Sequence, residues 1–159
     1  MPRLSGQISV VAVGRLKKSH WKTAQAEYEK RLARYTEFNL IEVKDVVGRG
    51  MPDSVAMQKE GELLLQATSS ANRRIALTPI GVQMSSPQLA QYLQRQVRLY
   101  RNLAFMIGGP LGFSDEVLGE CHEQLALSSL TFPHELARIM LLEQLYRAAT
   151  IINGEKYHK

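Results

Sequence analysis

The sequence predicts an α/β domain: a parallel sheet with helices on both faces. Short β-branched or apolar runs recur along the chain, and each is followed by a stretch with helical spacing. Glycine, proline or small polar residues stand where these runs end. The runs are apolar almost throughout rather than alternating, as expected of strands covered on both sides.

Gln7–Val13 (QISVVAV), closed by Gly14, reads as a first buried strand. Ser19 is expected to cap a helix over residues 20–35, with Trp21, Ala24, Tyr28, Leu32 and Tyr35 on one core-facing stripe and Lys30 and Arg34 opposite. Phe38–Val43 is a second strand, and Lys44–Pro52, glycine-bearing and mixed in charge, reads as a mobile loop. Asp53 or Ser54 starts a helix to about Thr68, in which Gly61 costs about 1 kcal/mol against alanine. After a turn at Ser69–Asn72, Arg73–Thr78 is a third strand ending at Pro79-Ile80-Gly81.

Ser86-Pro87 has the form of an N-cap followed by proline at the first helical position. Leu89, Leu93, Val97 and Tyr100 form the buried stripe of that helix; Arg95, Arg98 and Arg101 lie away from it, a group that could meet phosphate but reads first as a solvated face. Leu103–Ile107 is the fourth strand and runs into Gly108-Gly109-Pro110-Leu111-Gly112. Ser114 caps a short helix to about Cys121, and Glu123–Ser128 is the fifth strand. Pro133 opens the last helix, which runs to Ile152 and leaves Asn153–Lys159 as a polar tail. In that helix Glu143, Arg147 and Thr150 share a face, and Glu143 is placed to pair with Arg147. Most of its other positions are apolar, which calls for burial on more than one side: the sheet on one, a second subunit on another.

A chain of 159 residues fits one domain spanning residues 1–159. No run of about 18 apolar residues exists, so no membrane span is expected. The N-terminus lacks the layout of a signal peptide. A single cysteine, Cys121, excludes an internal disulfide and a cysteine-cluster metal site, pointing to a reduced, cytoplasmic protein. His20, His122, His134 and His158 share no ligand spacing, so no metal is expected, and His134 near a helix start reads as a surface group. A net charge of +5 is compatible with a nucleic-acid partner without demanding one.

Ligands of open parallel sheets sit beyond the carboxyl ends of the strands. Leu77–Gly81, Ile107–Gly112 and Leu127–Phe132 are three such ends with glycine or small polar residues. GGPLG is neither the dinucleotide fingerprint nor a phosphate loop, and no G-x-S-x-G elbow is present.

The run LSSLTFPHELARIMLLEQLYRAATI, with GGPLG before it and a terminal YHK, resembles the RlmH family. These are pseudouridine methyltransferases of large-subunit ribosomal RNA, in the SPOUT superfamily. The resemblance spans the chain from the VVAVG strand to the final YHK, and its long C-terminal motif is the specific part. It implies a SPOUT-type sheet whose C-terminal part is threaded as a deep trefoil knot, which ordinary topology disfavours. It implies S-adenosylmethionine as cofactor, held by Leu77, Gly108, Leu127, Ser128, Ser129, Leu130, Thr131 and Phe132. It further implies methylation of N3 of a pseudouridine in the helix 69 loop of 23S rRNA, on assembled ribosomes, by a homodimer. Carried over residue by residue, Tyr157 and His158 become the candidates for handling the imide proton, and Arg138 an anchor for phosphate or substrate. The tail would then close over the cofactor of the partner chain.

The chain departs from the family pattern at three places. Thr78, followed by Pro79, stands where the family has aspartate, Leu111 where GGPEG is common, and Glu155-Lys156 where N-x-P-Y-H is usual. These changes motivate an alternative: a knotted ribosome-binding protein that has lost methyl transfer.

Overall fold

The computed structural model describes residues 4–159. Strand and helix alternate: β1 Gln7–Val13, α1 Ser19–Leu32, β2 Glu37–Val43, α2 Asp53–Ala67, β3 Arg73–Gln83, α3 Ser86–Tyr100, β4 Asn102–Ile107, α4 Asp115–Gly119, β5 Glu123–Ala126 and α5 His134–Ile152. Every strand pairing is parallel, in the order β2-β1-β4-β3-β5. The expected parallel α/β sheet is therefore present, with helices on both faces.

Alternation along the two central strands sorts the helices. Ile8, Val10 and Ala12 of β1 and Leu103, Phe105 and Ile107 of β4 join the layer of Leu32, Leu93 and Leu142 from α1, α3 and α5. Val11, Val13 and Met106 point the other way, to Leu64 of α2 and Val117 of α4. Period-two side chains on a sheet covered twice produce this division, and it explains why both strands read as unbroken apolar runs. Leu141, Leu142 and Leu145 of α5 are fully buried against the larger layer, each contributing about 2 kcal/mol by burial. Among the described residues no helix is long and apolar enough to cross a membrane.

Several boundaries differ from the sequence reading. Ser19 is the first residue of α1 rather than its cap; Lys18 holds the cap position and makes no side-chain cap bond. The helix also stops at Leu32, and its aromatic stripe is only partly covered: Trp21 and Tyr28 are half-buried. The cap of α3 lies one residue earlier than expected. Ser85 accepts from the Gln88 amide while the Gln88 side chain accepts from the Ser85 amide, a reciprocal box that fixes the start at Ser86. Ser114 does cap α4, accepting from the Val117 amide. The fifth strand ends at Ala126, two residues short of Ser128, and Pro133 takes the cap of α5.

The larger difference is β3, which does not end at Thr78. It continues through Pro79-Ile80-Gly81 to Gln83, with a register jump between Leu77 and Val82 where both pair with Leu125. A bulge absorbs the proline, which cannot donate to a regular ladder. Gly81 is required there, because a Cβ would lie 2.6 Å from the backbone carbonyl carbon of Gln124. The Lys44–Pro52 loop is anchored in its middle. Buried Glu60 of α2 accepts from the amides of Val46 at 2.8 Å and Val47 at 3.1 Å.

Candidate functional site

The bulged part of β3 and the loops leaving β4 and β5 meet at the carboxyl end of the sheet, with the start of α5 behind them. They enclose a cavity of about 520 Å³, within the ~300–1,000 Å³ of small-molecule sites. From β3 come Leu77, Thr78 and Pro79; from β4, Ile107 and the whole GGPLG turn; from the segment after β5, Leu127, Ser128, Leu130, Thr131 and Phe132. Pro133, His134 and Ala137 close the wall from the α5 side.

Local rules shape this wall. The 108–112 loop doubles back tightly: the Gly112 amide donates to the Gly109 carbonyl at 3.0 Å, and Gly112 has φ +74°. A Cβ on Gly108 would stand 3.1 Å from the Gly112 carbonyl carbon, so glycine permits the close approach. The Ser128 hydroxyl accepts from the Leu130 amide at 3.0 Å, curling the third loop. The Thr78 hydroxyl donates to Gln124 Oε1 at 3.1 Å, linking β3 to β5 beside the cavity. Leu111 and Leu130 are 42% and 70% exposed, giving the mouth an apolar rim.

Of the eight residues expected to hold a cofactor, Leu77, Gly108, Leu127, Ser128, Leu130, Thr131 and Phe132 line this cavity, and Ser129 does not. Thr78, Pro110 and His134 are among the lining residues that the structure adds. His134 also faces a second, smaller cavity, and its Nε2 lies 2.9 Å from Glu135 Oε1. Two adjacent polar residues at a helix start were the only sign of this pairing in the sequence.

Residues 7–158 match the family model described as "Predicted SPOUT methyltransferase". The chain belongs to the SPOUT methyltransferase family. It is 41% identical over 160 aligned residues to a protein of Clostridium botulinum (strain Eklund 17B / Type B) named Ribosomal RNA large subunit methyltransferase H, covering 96% of this chain and 99% of that one. A Clostridium tetani protein of the same name is 40% identical with the same coverage. Among solved structures, a probable methyltransferase from Bordetella pertussis Tohama I aligns with a TM-score of 0.59 at 15% identity, over 92% of this chain and 95% of that one. A probable methylase family protein from Haemophilus influenzae Rd KW20 aligns with a TM-score of 0.58 at 16% identity, over 96% of this chain and 70% of that one. At such identities these two likenesses carry the SPOUT fold alone.

The other three expected site residues lie away from the cavity lining. Arg138, expected as an anchor for phosphate or substrate, is 1% exposed. Its guanidinium donates to Glu42, to Gln25 Oε1 at 3.1 Å and to the Gly14 carbonyl at 2.9 Å. It ties the start of α5 to the exits of β1 and β2. Tyr157 and His158 sit at the far end of α5. Tyr157 donates to Glu143 Oε1 at 3.1 Å, and His158 Nδ1 lies 3.3 Å from the Arg147 guanidinium. Glu143 and Arg147 form the expected pair at 2.7 Å. Burial, then the bond to Glu143, pushes the Tyr157 hydroxyl above its ordinary value. At 1.5 Å per helical residue, Arg147 is about 20 Å along the axis from His134. Cys121 is half-buried with its thiol on the Val117 carbonyl, and burial raises its pKa, the setting of a packed thiol.

Two outcomes follow for this network. Arg138→Ala strands Glu42 and the Gly14 carbonyl, and urea unfolding is expected to show a loss of about 3 kcal/mol, the low end for a buried pair because Glu42 stays partly exposed to water. Tyr35, whose hydroxyl donates to Glu155 Oε2 at 2.7 Å, is pushed up to about 12 by burial and then by that bond. The folded state therefore holds this proton more tightly than the unfolded chain does. Its contribution is complete below pH 10 and disappears as pH rises from 10 to about 12. Urea midpoints across that range should fall in the parent protein and fall less in Tyr35→Phe.

Proposed function

We propose that this chain is a single-domain, S-adenosylmethionine-dependent methyltransferase of large-subunit ribosomal RNA. Its acceptor is N3 of a pseudouridine in the helix 69 loop of 23S rRNA, presented by assembled ribosomes in the cytoplasm. The observation that carries this reading is the three-loop cavity, in a chain 41% identical over nearly its whole length to a protein named Ribosomal RNA large subunit methyltransferase H. The reading includes a C-terminal trefoil knot and a homodimer. The knot is supported by the family to which the chain belongs.

The cavity suits the cofactor. Its volume is adequate, its walls are mostly apolar, and backbone groups of three loops face it with Gly108 leaving room for close approach. When bound, S-adenosylmethionine supplies a methyl carbon made electrophilic by its sulfonium. Leu77, Leu127, Leu130 and Phe132 would enclose the nucleoside and keep water out. Holding donor and acceptor nitrogen in line accounts for much of the rate, because catalysis here is chiefly positioning.

The imide N–H must also lose its proton. Tyr157 and His158 are the groups proposed to receive or direct it. Since each copy holds its own tail at the far end of α5, the tail of a second copy would serve this cavity. The exposed rim at Leu111 and Leu130 and the half-buried strip of Leu136 and Met140 on α5 support a second copy there.

Incubation with S-adenosylmethionine carrying a labelled methyl group is expected to label 23S rRNA in assembled ribosomes, with 3-methylpseudouridine as the product by mass spectrometry. Ribosome binding with cofactor bound and no label would overturn this reading in favour of a knotted ribosome-binding protein. The dimer can be read separately by mixing two inactive variants, Gly108→Trp in the cavity and His158→Ala in the tail. A tail acting across the dimer restores about a quarter of parental activity through mixed dimers. A tail acting on its own cavity restores none.

A further inference from the structure

A second cavity of about 340 Å³ opens beside the first, where the chain leaves β1 and enters α1. The two share Pro110 and His134 in their walls. Their linings differ in chemistry. The larger one contains apolar and small residues, while the smaller is lined by exposed Arg15, Lys17 and Lys18 together with half-buried Trp21.

The cations here are not neutralised. Among the described residues none of Arg15, Lys17 or Lys18 pairs with a carboxylate. Two acids share the wall with these three cations: Asp45 pairs with Arg49 at 3.1 Å, and Glu135 lies 2.9 Å from His134. The floor is rigid, because Gly14 donates to Val43 at 2.8 Å and accepts from Arg138, and Leu16 between the cations is 4% exposed. A fixed groove with unpaired cations and a half-buried indole, which His20 meets at a tilt of 58° with ring centroids 4.7 Å apart, has the composition that tracks a single-stranded nucleic acid: phosphates on the cations, a base on the remaining ring surface. The other arginine-rich cavity, with Arg95, Arg98 and Arg101, also contains Ser5, at the amino end of β1, and shares no lining residue with the larger cavity.

We propose that the Arg15–Lys17–Lys18–Trp21 groove binds the RNA strand flanking the target nucleotide, with a phosphodiester on the lysines and a neighbouring base stacked on Trp21. The strand then turns into the larger cavity past His134 and Pro110. This rests on the methyltransferase reading for its orientation, but the binding itself is measurable without any methyl transfer.

The protein's single tryptophan makes the test direct. Titration of the full-length protein with a fluorescein-labelled, single-stranded oligoribonucleotide of about ten nucleotides is followed by tryptophan quenching and by anisotropy over a range of salt. Strong quenching of Trp21 is expected on stacking. Lys17→Glu/Lys18→Glu should weaken binding about tenfold or more and lower the salt slope by about 1.4, at about 0.7 for each phosphate no longer neutralised on a single strand. Trp21→Ala should weaken anisotropy binding several-fold while Trp21→Phe, which keeps a stacking face, weakens it less. S-adenosylmethionine affinity of the double-lysine variant should equal that of the parent, since neither lysine lines the larger cavity. Circular dichroism melts verify that the variants are folded. Absence of quenching, or an unchanged salt slope in the folded double-lysine variant, would overturn the groove. RNA binding that meets these expectations in a protein with no affinity for S-adenosylmethionine would uphold the groove and sink the methyltransferase reading.

Discussion

One buried guanidinium holds the working end of this molecule together. Arg138 sits on a helix that is otherwise apolar toward the sheet, and it is buried to the same degree as the leucines around it. A cation in that position is tolerable only if its hydrogens are taken up, and Glu42, Gln25 and the Gly14 carbonyl take them from three different elements. Of its three nitrogens, Nε is the one without a partner. Ends of strands and helices that would otherwise be joined by flexible turns are thereby held at fixed spacing. Both cavities inherit that spacing, one through Ala137 and His134, the other through Gly14.

The two cavities divide the recognition problem by dielectric character. The larger is walled mainly by leucine, proline, phenylalanine and glycine, a lining suited to an organic ligand. The smaller is lined by cations, where the proposed binding would draw on displaced counterions and vary with salt. Their common wall places His134, with Glu135 behind it, at the junction of the apolar and the charged region.

How much of this could be read from the sequence depended on how local its cause was. β1 and β4 were legible because burial on both faces leaves an unbroken apolar run. The Ser114 cap and the Glu143–Arg147 pair were legible because their partners lie three and four residues away. The continuation of β3 through Pro79 was not, since the strand is held there by Leu125 and Gln124, more than forty residues further on. Ser85 and Ser86 are equally good caps on paper, and only the reach of Gln88 chooses between them. The three segments were found by glycine and small polar content, and the family resemblance named seven of the residues that line the cavity. The placement of Arg138 and His134 depends on contacts with no periodic trace, and motif resemblance supplied the importance of Arg138 without its partners.

The order in which the strands pair has a consequence for the protein's own synthesis. β1 is made first, yet its neighbour β4 pairs with it through Gln7 and Asn102, and the turn at Gly14 meets Arg138 only near the end of translation. A nascent chain therefore carries the most apolar strand of the sheet with one edge unpaired until most of the polypeptide has emerged. Such long-range closure is slow and exposes sticky backbone meanwhile. The sheet can close only once β4 has emerged, so the free edge of β1 must avoid other chains until then.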